Sequence, residues 1–135
     1  MNPMLEIPKN IFDEILAHLK AEYPLEGCGV LAGRENKVKK LIRLTNTKKS
    51  PVSFLADPLE QIKMLRDIED NGLELLAIYH SHPDTDPYPS TEDVEKAFYT
   101  DSLNLIVSLR DRNNPAARIY RIADREIAED KFIVL

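Results

Sequence analysis

Two histidines and a carboxylate stand at a spacing that suits a metal site. One residue separates His80 from His82, and Asp93 follows eleven positions after His82. In an extended chain, residues two apart point to the same face, so both imidazoles can reach one ion. Two histidines and one carboxylate, with a fourth position left to water, form the ligand set of a catalytic zinc site.

Each half of this pattern also has a simpler explanation. A His-x-His pair at the end of a strand is more often exposed or hydrogen-bonded than metal-binding. The tetrapeptide from Ser90 to Asp93 is an acceptable capping box for a helix that starts at Thr91. The two interpretations are compatible, because Ser90 can cap the helix while its hydroxyl faces a metal.

The elements that must position these residues follow from the hydrophobic pattern. Residues 73–79 (LELLAIY) are apolar on both faces, which predicts a central strand with His80 at its end. Residues 83–90 contain three prolines, so we expect no regular structure there. A short helix is expected over Thr91–Tyr99.

A second helix has clear signals at both ends. Asp57 is its expected N-cap, Pro58 occupies the first helical position, and Glu60 completes a capping box. The pair at 71–72 (NG) ends the helix. Its buried stripe is expected to be Leu59, Ile62, Leu65 and Ile68.

The order of all the predicted elements, αββαβαββ(β), indicates the α/β class. We expect a single-domain mixed β-sheet flanked by helices, over residues 1–135. The further elements are a helix over residues 8–22, strands over 27–33 and 38–44 with a turn at 35–36, a polar loop over 45–53, and strands over 103–109, 117–123 and 132–135.

Composition and charge exclude several classes of function. The chain has 135 residues, of which 43% are hydrophobic and 30% charged, as is typical of one folded domain. Its 18 Lys+Arg and 23 Asp+Glu residues give a net charge of −5, so we expect no nucleic-acid partner. No segment approaches the roughly 18 apolar residues of a membrane span. We expect no membrane association and no signal peptide, and hence a cytoplasmic protein.

The sequence resembles the signature of the JAMM metalloproteases, also called MPN+ or JAB. That signature is the run HSHP at residues 80–83, then six residues, then Ser90-x-x-Asp93. The family also has a glutamate near the start of its first core strand, and Glu26 stands in that place. The resemblance covers roughly residues 5–125. It implies the JAMM/MPN fold, a cytidine-deaminase-like α/β/α sandwich.

The resemblance implies a role for each signature residue. His80, His82 and Asp93 would hold one Zn²⁺ ion together with a catalytic water. Glu26 would take a proton from that water and later pass it to the leaving amine. The hydroxyl of Ser90 would donate a hydrogen bond to the oxyanion.

The resemblance also implies a class of substrate. It predicts hydrolysis of the peptide or isopeptide bond next to the C-terminal Gly-Gly of a ubiquitin-like or sulfur-carrier (ThiS/MoaD-type) protein. The chain looks like the bare core of the family, because only 53 residues separate Glu26 from His80. The Tyr88-Pro89 pair before Ser90 resembles the prokaryotic branch.

The alternatives to this function are a non-catalytic MPN scaffold or binding module, a deubiquitinase-like isopeptidase, and a cell-wall amidopeptidase. The oligomeric state stays open between monomer and homodimer.

Residues outside the signature also carry predictions. Cys28 cannot form an intrachain disulfide, because the chain has one cysteine, and this fits a reducing compartment. We expect it to be a small buried residue, with a thiol close to the zinc as the alternative. His18 is expected on the exposed side of the first helix. Four residues are assigned to the core: Leu5, Ile7, Phe54 and Phe98.

Overall fold

The computed structural model describes residues 4–135. These residues contain three helices and eight strands. The helices are α1 (Lys9–Glu22), α2 (Pro58–Asp70) and α3 (Thr91–Glu95). The strands are β1 (Leu5–Ile7), β2 (Cys28–Arg34), β3 (Lys37–Leu44), β4 (Glu74–His82), β5 (Leu103–Ser108), β6 (Ala116–Ala123), β7 (Glu126–Asp130) and β8 (Phe132–Val134).

The strands form one mixed sheet in the order β7-β6-β5-β4-β2-β3-β1-β8. β4 lies in its middle, antiparallel to β2 and parallel to β5. Side chains alternate along β4, because successive residues of a strand point to opposite faces. Ala77 and Tyr79 pack on the face covered by α1, and Ile78 packs on the face covered by α2. The prediction of a central strand that is apolar on both faces is confirmed.

The sheet curls around α1. β7 ends at Asp130 and β8 begins at Phe132, so only Lys131 separates the strands at the two edges of the sheet. α1 lies on the inner side and buries Ile11 and Ile15 there. With α2 and α3 on the other face, the predicted mixed sheet flanked by helices is confirmed.

The packing between β2 and the inner face of β4 requires a glycine. Gly29 pairs with Tyr79, and a Cβ atom at position 29 would lie 2.4 Å from the tyrosine ring.

The buried hydroxyl of Tyr79 lies 2.7 Å from Nδ1 of His18, which is also buried. The expectation that His18 is solvated is therefore wrong. Its hydrogen-bond partner lies 61 residues away, and helical periodicity cannot reveal such a partner.

The predicted buried stripe of α2 is wrong in most of its positions. Leu59 is 70% exposed, Ile62 55% and Leu65 42%, whereas Met64 and Ile68 are buried against the sheet. A spacing of three residues falls about 60° short of a full turn at each step, so it winds around the helix. The stripe therefore leaves the buried face, and α2 packs mainly through Met64 and Ile68.

The caps of the helices are partly as predicted. Asp57 accepts hydrogen bonds from the N–H groups of Leu59 (2.9 Å) and Glu60 (3.0 Å), as expected of an N-cap. The expected capping box is wrong, because the Glu60 carboxylate accepts from the backbone N–H and the hydroxyl of Thr45 instead.

α3 is shorter than predicted and ends before Tyr99. The chain leaves the helix there, and the Tyr99 hydroxyl donates to the side chain of Gln61.

The remaining predictions have mixed outcomes. Glu35 and Asn36 form the expected turn between β2 and β3, with φ angles of 53° and 63°, as type I′ turns require. Leu5 and Ile7 belong to the core, although β1 was not predicted as a strand, and neither was β7. Phe98 is 76% exposed, so its assignment to the core is wrong. Among residues 4–135, no helix combines the length and hydropathy needed to cross a bilayer.

Candidate metal centre

His80 and His82 lie at the end of β4, on the face covered by α2 and α3. β4 continues beyond the predicted end at Tyr79 and stays extended through His82. Both imidazoles therefore point to the same face, and their Nε2 atoms lie 3.2 Å apart. Each of the two rings is buried.

Asp93 joins the histidines from the first turn of α3. Its Oδ2 lies 3.2 Å from Nε2 of His80 and 3.1 Å from Nε2 of His82. The same oxygen accepts a hydrogen bond from the N–H of Ser90 at 2.9 Å. In return, the Ser90 hydroxyl accepts from the N–H of Asp93 at 3.0 Å. The capping box is thus present, and it orients Asp93 toward the histidines.

The three converging atoms fit a small dication. Tetrahedral zinc with ligands at about 2.0–2.1 Å places neighbouring ligand atoms about 3.3 Å apart, close to the distances observed here. Nδ1 of His82 lies 2.9 Å from the carbonyl oxygen of Asp86. Because a carbonyl can only accept, Nδ1 carries the proton, and Nε2 is left free to bind a metal. The donor set and its geometry therefore suit zinc.

The electrostatics of the cluster also favour a cation. Burial raises the pKa of Asp93, but the hydrogen bonds from His80 and His82 outweigh it and hold this pKa well below its usual value. Burial lowers the pKa of His82, but its hydrogen bonds to Asp93 and to the backbone of Asp86 raise it overall. The carboxylate of Asp93 thus stays ionised at a half-buried position, where a dication can take the place of a proton.

Glu26 lies just before β2 and on the same face as the histidines. The N–H of Ser81 donates to the carbonyl oxygen of Gly27 at 3.1 Å. In the antiparallel register of β2 and β4, this pairing places Glu26 opposite His82. Residues opposite each other in an antiparallel pair share a face, so the Glu26 side chain belongs to this cluster.

The Glu26 carboxyl group is buried without a full set of partners. It is 4% exposed, and its Oε1 has no hydrogen-bond partner among the described residues. Such an atom is uncommon in a folded protein and calls for an explanation. Burial is the main cause that raises the pKa of Glu26 to about 8, whereas the nearby His82 lowers it and Asp93 raises it. A carboxyl group with a pKa near neutrality suits proton transfer.

An apolar cavity of about 90 Å³ opens beside the cluster. His80 and Asp93 line it together with Phe54, whose ring centre lies 4.6 Å from that of His80. Phe54 was assigned to the core, and it is half-buried at the cavity wall.

Cys28 is 1% exposed, and burial is the main cause that raises the pKa of its thiol to about 12. The interpretation of Cys28 as a small buried residue is confirmed.

Two residues near the cluster were missed in the sequence. Asn46 lies in the segment predicted as a polar loop, and it is buried against the backbone of Glu26. Glu92 precedes Asp93 and accepts hydrogen bonds from the side chains of Ser53 and Lys48. Nothing in the local pattern singles out either residue, because the contacts that tie them to the site are distant in the chain: Glu26 lies 20 positions from Asn46, and Lys48 lies 44 positions from Glu92.

Comparisons with known proteins agree with this geometry. The family described as prokaryotic homologs of the JAB domain matches residues 8–123. A Mycobacterium tuberculosis protein named CysO-cysteine peptidase is 37% identical over 129 residues, which span 94% of this chain and 88% of the relative. A Thermus thermophilus protein named probable TtuB-protein conjugate cleaving protease is 45% identical over 95 residues, 70% of this chain and 64% of the relative.

Solved structures share the fold. The solution structure of a Desulfitobacterium hafniense protein has a TM-score of 0.88 and 34% identity, and covers 98% of this chain and 93% of its own. The crystal structure of a JAB1/MPN domain protein from Archaeoglobus fulgidus has a TM-score of 0.65 and 23% identity, and covers 96% of this chain and 98% of its own. At this identity the comparison shows only that the two proteins share a fold. Because the family match covers most of the chain, the protein belongs to the prokaryotic branch of the JAMM/MPN+ (JAB-domain) metalloprotease family.

Proposed function

We propose that this protein is a zinc-dependent peptidase or isopeptidase. Its substrate is the amide bond next to the C-terminal Gly-Gly of a ubiquitin-like or sulfur-carrier protein of the ThiS or MoaD type. The observation that carries the proposal is the convergence of His80, His82 and Asp93 beside Glu26, whose Oε1 has no partner among the described residues. Amide hydrolysis needs a metal ligand set and a proton carrier in one place.

His80, His82 and Asp93 would hold one zinc ion and leave its fourth position to water. When bound at such a site, zinc lowers the pKa of its water to about 7 and polarises the scissile carbonyl. The Asp86 carbonyl and the Ser90 N–H orient two of the three ligands. Hydrogen bonds of this kind fix the ligand geometry and tune the affinity for metal.

Glu26 would transfer a proton, and Ser90 would stabilise the negative charge that develops on the substrate carbonyl oxygen. The carboxylate of Glu26 would take a proton from the attacking water and return it to the leaving amine. The Ser90 hydroxyl accepts from the backbone of Asp93, so its own hydrogen is free to be donated. Donation to the carbonyl oxygen that becomes negative would stabilise the transition state.

The choice of substrate follows the relatives and the shape of the site. Two relatives are named for CysO-cysteine and for TtuB-protein conjugates, and two archaeal relatives, from Pyrococcus furiosus and Haloferax volcanii, are named desampylases. A Gly-Gly tail has no side chains and can approach a buried cluster closely. The cavity beside His80 can take an apolar group next to that tail.

Cleavage assays test the substrate directly. The zinc-loaded protein is incubated with candidate carrier proteins that bear short extensions after Gly-Gly, and the products are weighed by mass spectrometry. We expect release of the extension and a carrier that ends in Gly-Gly. A matched carrier ending in Ala-Ala should stay intact. If no Gly-Gly substrate is cleaved, the proposed substrate is wrong.

Metal content separates the enzyme from a non-catalytic MPN scaffold. Protein purified without added zinc should contain close to one ion per chain, and a chelator should remove both the metal and the activity. A scaffold would contain almost no metal.

We also propose that residues 1–135 form one domain, which limited proteolysis can test. We further propose that the protein is cytoplasmic, which cell fractionation can test.

A further inference from the structure

The segment between β3 and α2, residues 45–56, connects two parts of the candidate site. We name it the bridging loop. Its only strand-like pairing among the described residues is an isolated bridge between Asn46 and Ala56. The function proposed above assigns no role to this loop, yet one side of it contacts the Glu26 segment and another contacts α3.

Both backbone polar groups of Glu26 bond to the bridging loop. The N–H of Glu26 donates to the carbonyl oxygen of Ser50 at 2.9 Å. The carbonyl oxygen of Glu26 accepts from Nδ2 of Asn46 at 3.0 Å. Because Glu26 lies outside the regular strand, these bonds replace the strand pairing that would otherwise fix its backbone.

Asn46 is the centre of the loop. It is 8% exposed, and its Nδ2 donates a second hydrogen bond, to the carbonyl oxygen of Ser53 at 3.0 Å. Its Oδ1 accepts from the N–H groups of Lys48 and Leu55, both at 3.0 Å. All four hydrogen-bonding positions of the amide are thus filled. The orientation of Asn46 is fixed, and so is its bond to Glu26.

Glu92 joins the bridging loop to α3. Its carboxylate accepts from the Ser53 hydroxyl and from Nζ of Lys48 at 3.2 Å, and from Lys96 one turn later at 2.8 Å. α3 has five residues and none of them is buried. Val94 packs α3 against the core cluster of Ile106, Tyr120 and Ile122. The bonds of Glu92 are a second attachment of the helix, next to Asp93.

We infer that the bridging loop is a positioning device that sets Glu26 against the metal ligand Asp93. Asn46 positions the proton carrier, and Glu92 positions the helix that presents Asp93. The inference rests on the proposed function, because it assigns these two residues to the reaction of that site. It predicts that damage at the two ends of the loop has different consequences.

Three variants and a control separate these consequences. Glu92→Ala removes the bonds from the loop to α3, and Glu92→Gln keeps an acceptor for Ser53. Asn46→Asp keeps an acceptor for Lys48 and Leu55 but loses the donors to the carbonyl oxygens of Glu26 and Ser53. Glu95→Ala is the control, since Glu95 lies exposed on the same helix. Zinc affinity, the visible spectrum of the cobalt-substituted protein and steady-state kinetics are measured for each.

The expected results differ in kind. Glu92→Ala should weaken zinc binding about 10–100-fold, the usual effect of losing a group that orients a ligand, and should change the cobalt spectrum. Glu92→Gln should recover part of the loss. Asn46→Asp should bind zinc within about twofold of the parent but lower kcat at least tenfold, with KM little changed. Thermal unfolding of each variant, with Glu95→Ala as reference, separates these effects from lost stability.

The failures are also distinct. If Glu92→Ala matches Glu95→Ala in zinc affinity and spectrum, or if Asn46→Asp keeps the parent kcat, the positioning role is wrong. Should Asn46→Asp fail to fold, Asn46→Ser removes the same bond to Glu26 without placing a charge at the buried position, and it should lower kcat in the same way. Ser53→Ala cuts the bond to Glu92 and should reproduce part of the Glu92→Ala loss. A parent protein that binds no zinc would instead overturn the proposed function and this inference with it.

Discussion

Ser81 and Gly27 are joined by two hydrogen bonds. The N–H of Gly27 donates to the Ser81 hydroxyl at 2.9 Å, and the N–H of Ser81 donates to the Gly27 carbonyl oxygen at 3.1 Å. Ser81 lies between the two histidines but points to the opposite face, where it is completely buried. The residue that separates the two histidines thus ties their strand to the segment that carries Glu26.

Ser81→Ala should weaken both the fold and the reaction. It leaves the buried N–H of Gly27 without an acceptor, which costs about 1–3 kcal/mol, and it loosens Glu26. We expect a lower free energy of unfolding in urea and a lower kcat, with zinc still bound. Ser81→Thr keeps the hydroxyl and serves as the control. A Ser81→Ala protein with the stability and kcat of the parent would contradict this role.

Glu26→Gln should separate metal binding from turnover. The amide has nearly the size of the carboxyl group but cannot carry the proton, so the variant should fold, bind zinc and lose activity. Zinc stoichiometry and cleavage rate are measured on the same sample. Normal activity in a folded variant would contradict the role of Glu26 as proton carrier.

The stability of the metal-free protein should depend on pH through Glu26. Its pKa is about 8 in the folded state against 4.5 as the ordinary value, so the folded protein holds this proton more tightly. The resulting stability is fully present below pH 4.5 and is lost as the pH rises to about 8. Glu26→Gln lacks this dependence. In urea with a chelator present, the variant should therefore gain stability relative to the parent between pH 5 and pH 8. A constant difference would argue against a buried, protonated Glu26.

Ser90→Ala tests whether the hydroxyl does more than cap α3. The loss of an N-cap costs about 1 kcal/mol of stability, whereas the loss of one donor to the developing oxyanion lowers turnover about 10²–10³-fold. We expect both effects, measured by thermal unfolding and by kcat. Ser90→Gly retains most of the capping stability and should lose the same activity. Full activity in either variant would leave Ser90 as a cap only.

His80→Ala should abolish stoichiometric zinc binding. The variant leaves two ligands where a catalytic zinc site uses three protein side chains. His18→Gln is a suitable control because it changes a histidine on the inner face of the sheet, against Tyr79. Zinc is quantified by mass spectrometry of metals after dialysis. Equal zinc content in the His80→Ala variant and the parent would rule out the proposed ligand set.

The two halves of the centre could be predicted from sequence because the geometry within each half is local. His80 and His82 share a face through the period of a strand, and Ser90 and Asp93 meet through the geometry of a helix start. Both are rules about residues two or three apart. Glu26 needed the family resemblance, since its place opposite His82 depends on the pairing of two distant segments.

Two of the wrong predictions concern contacts between distant parts of the chain. His18 is buried against the Tyr79 hydroxyl, and Glu60 turns away from its own helix because Thr45 offers two donors. In both cases a tertiary contact overrides what the local pattern indicates. The stripe of α2 is wrong for a local reason, because a three-residue spacing winds around the helix and carries Leu59 to the exposed side.

A single oxygen of Asp93 has two tasks, since Oδ2 accepts from the N–H of Ser90 and also faces both histidines. Protonation of that atom in strong acid would release the imidazoles and the beginning of α3 in one event. Acid would therefore break the contact of Asp93 with the imidazoles and one of the two bonds of the α3 capping box together.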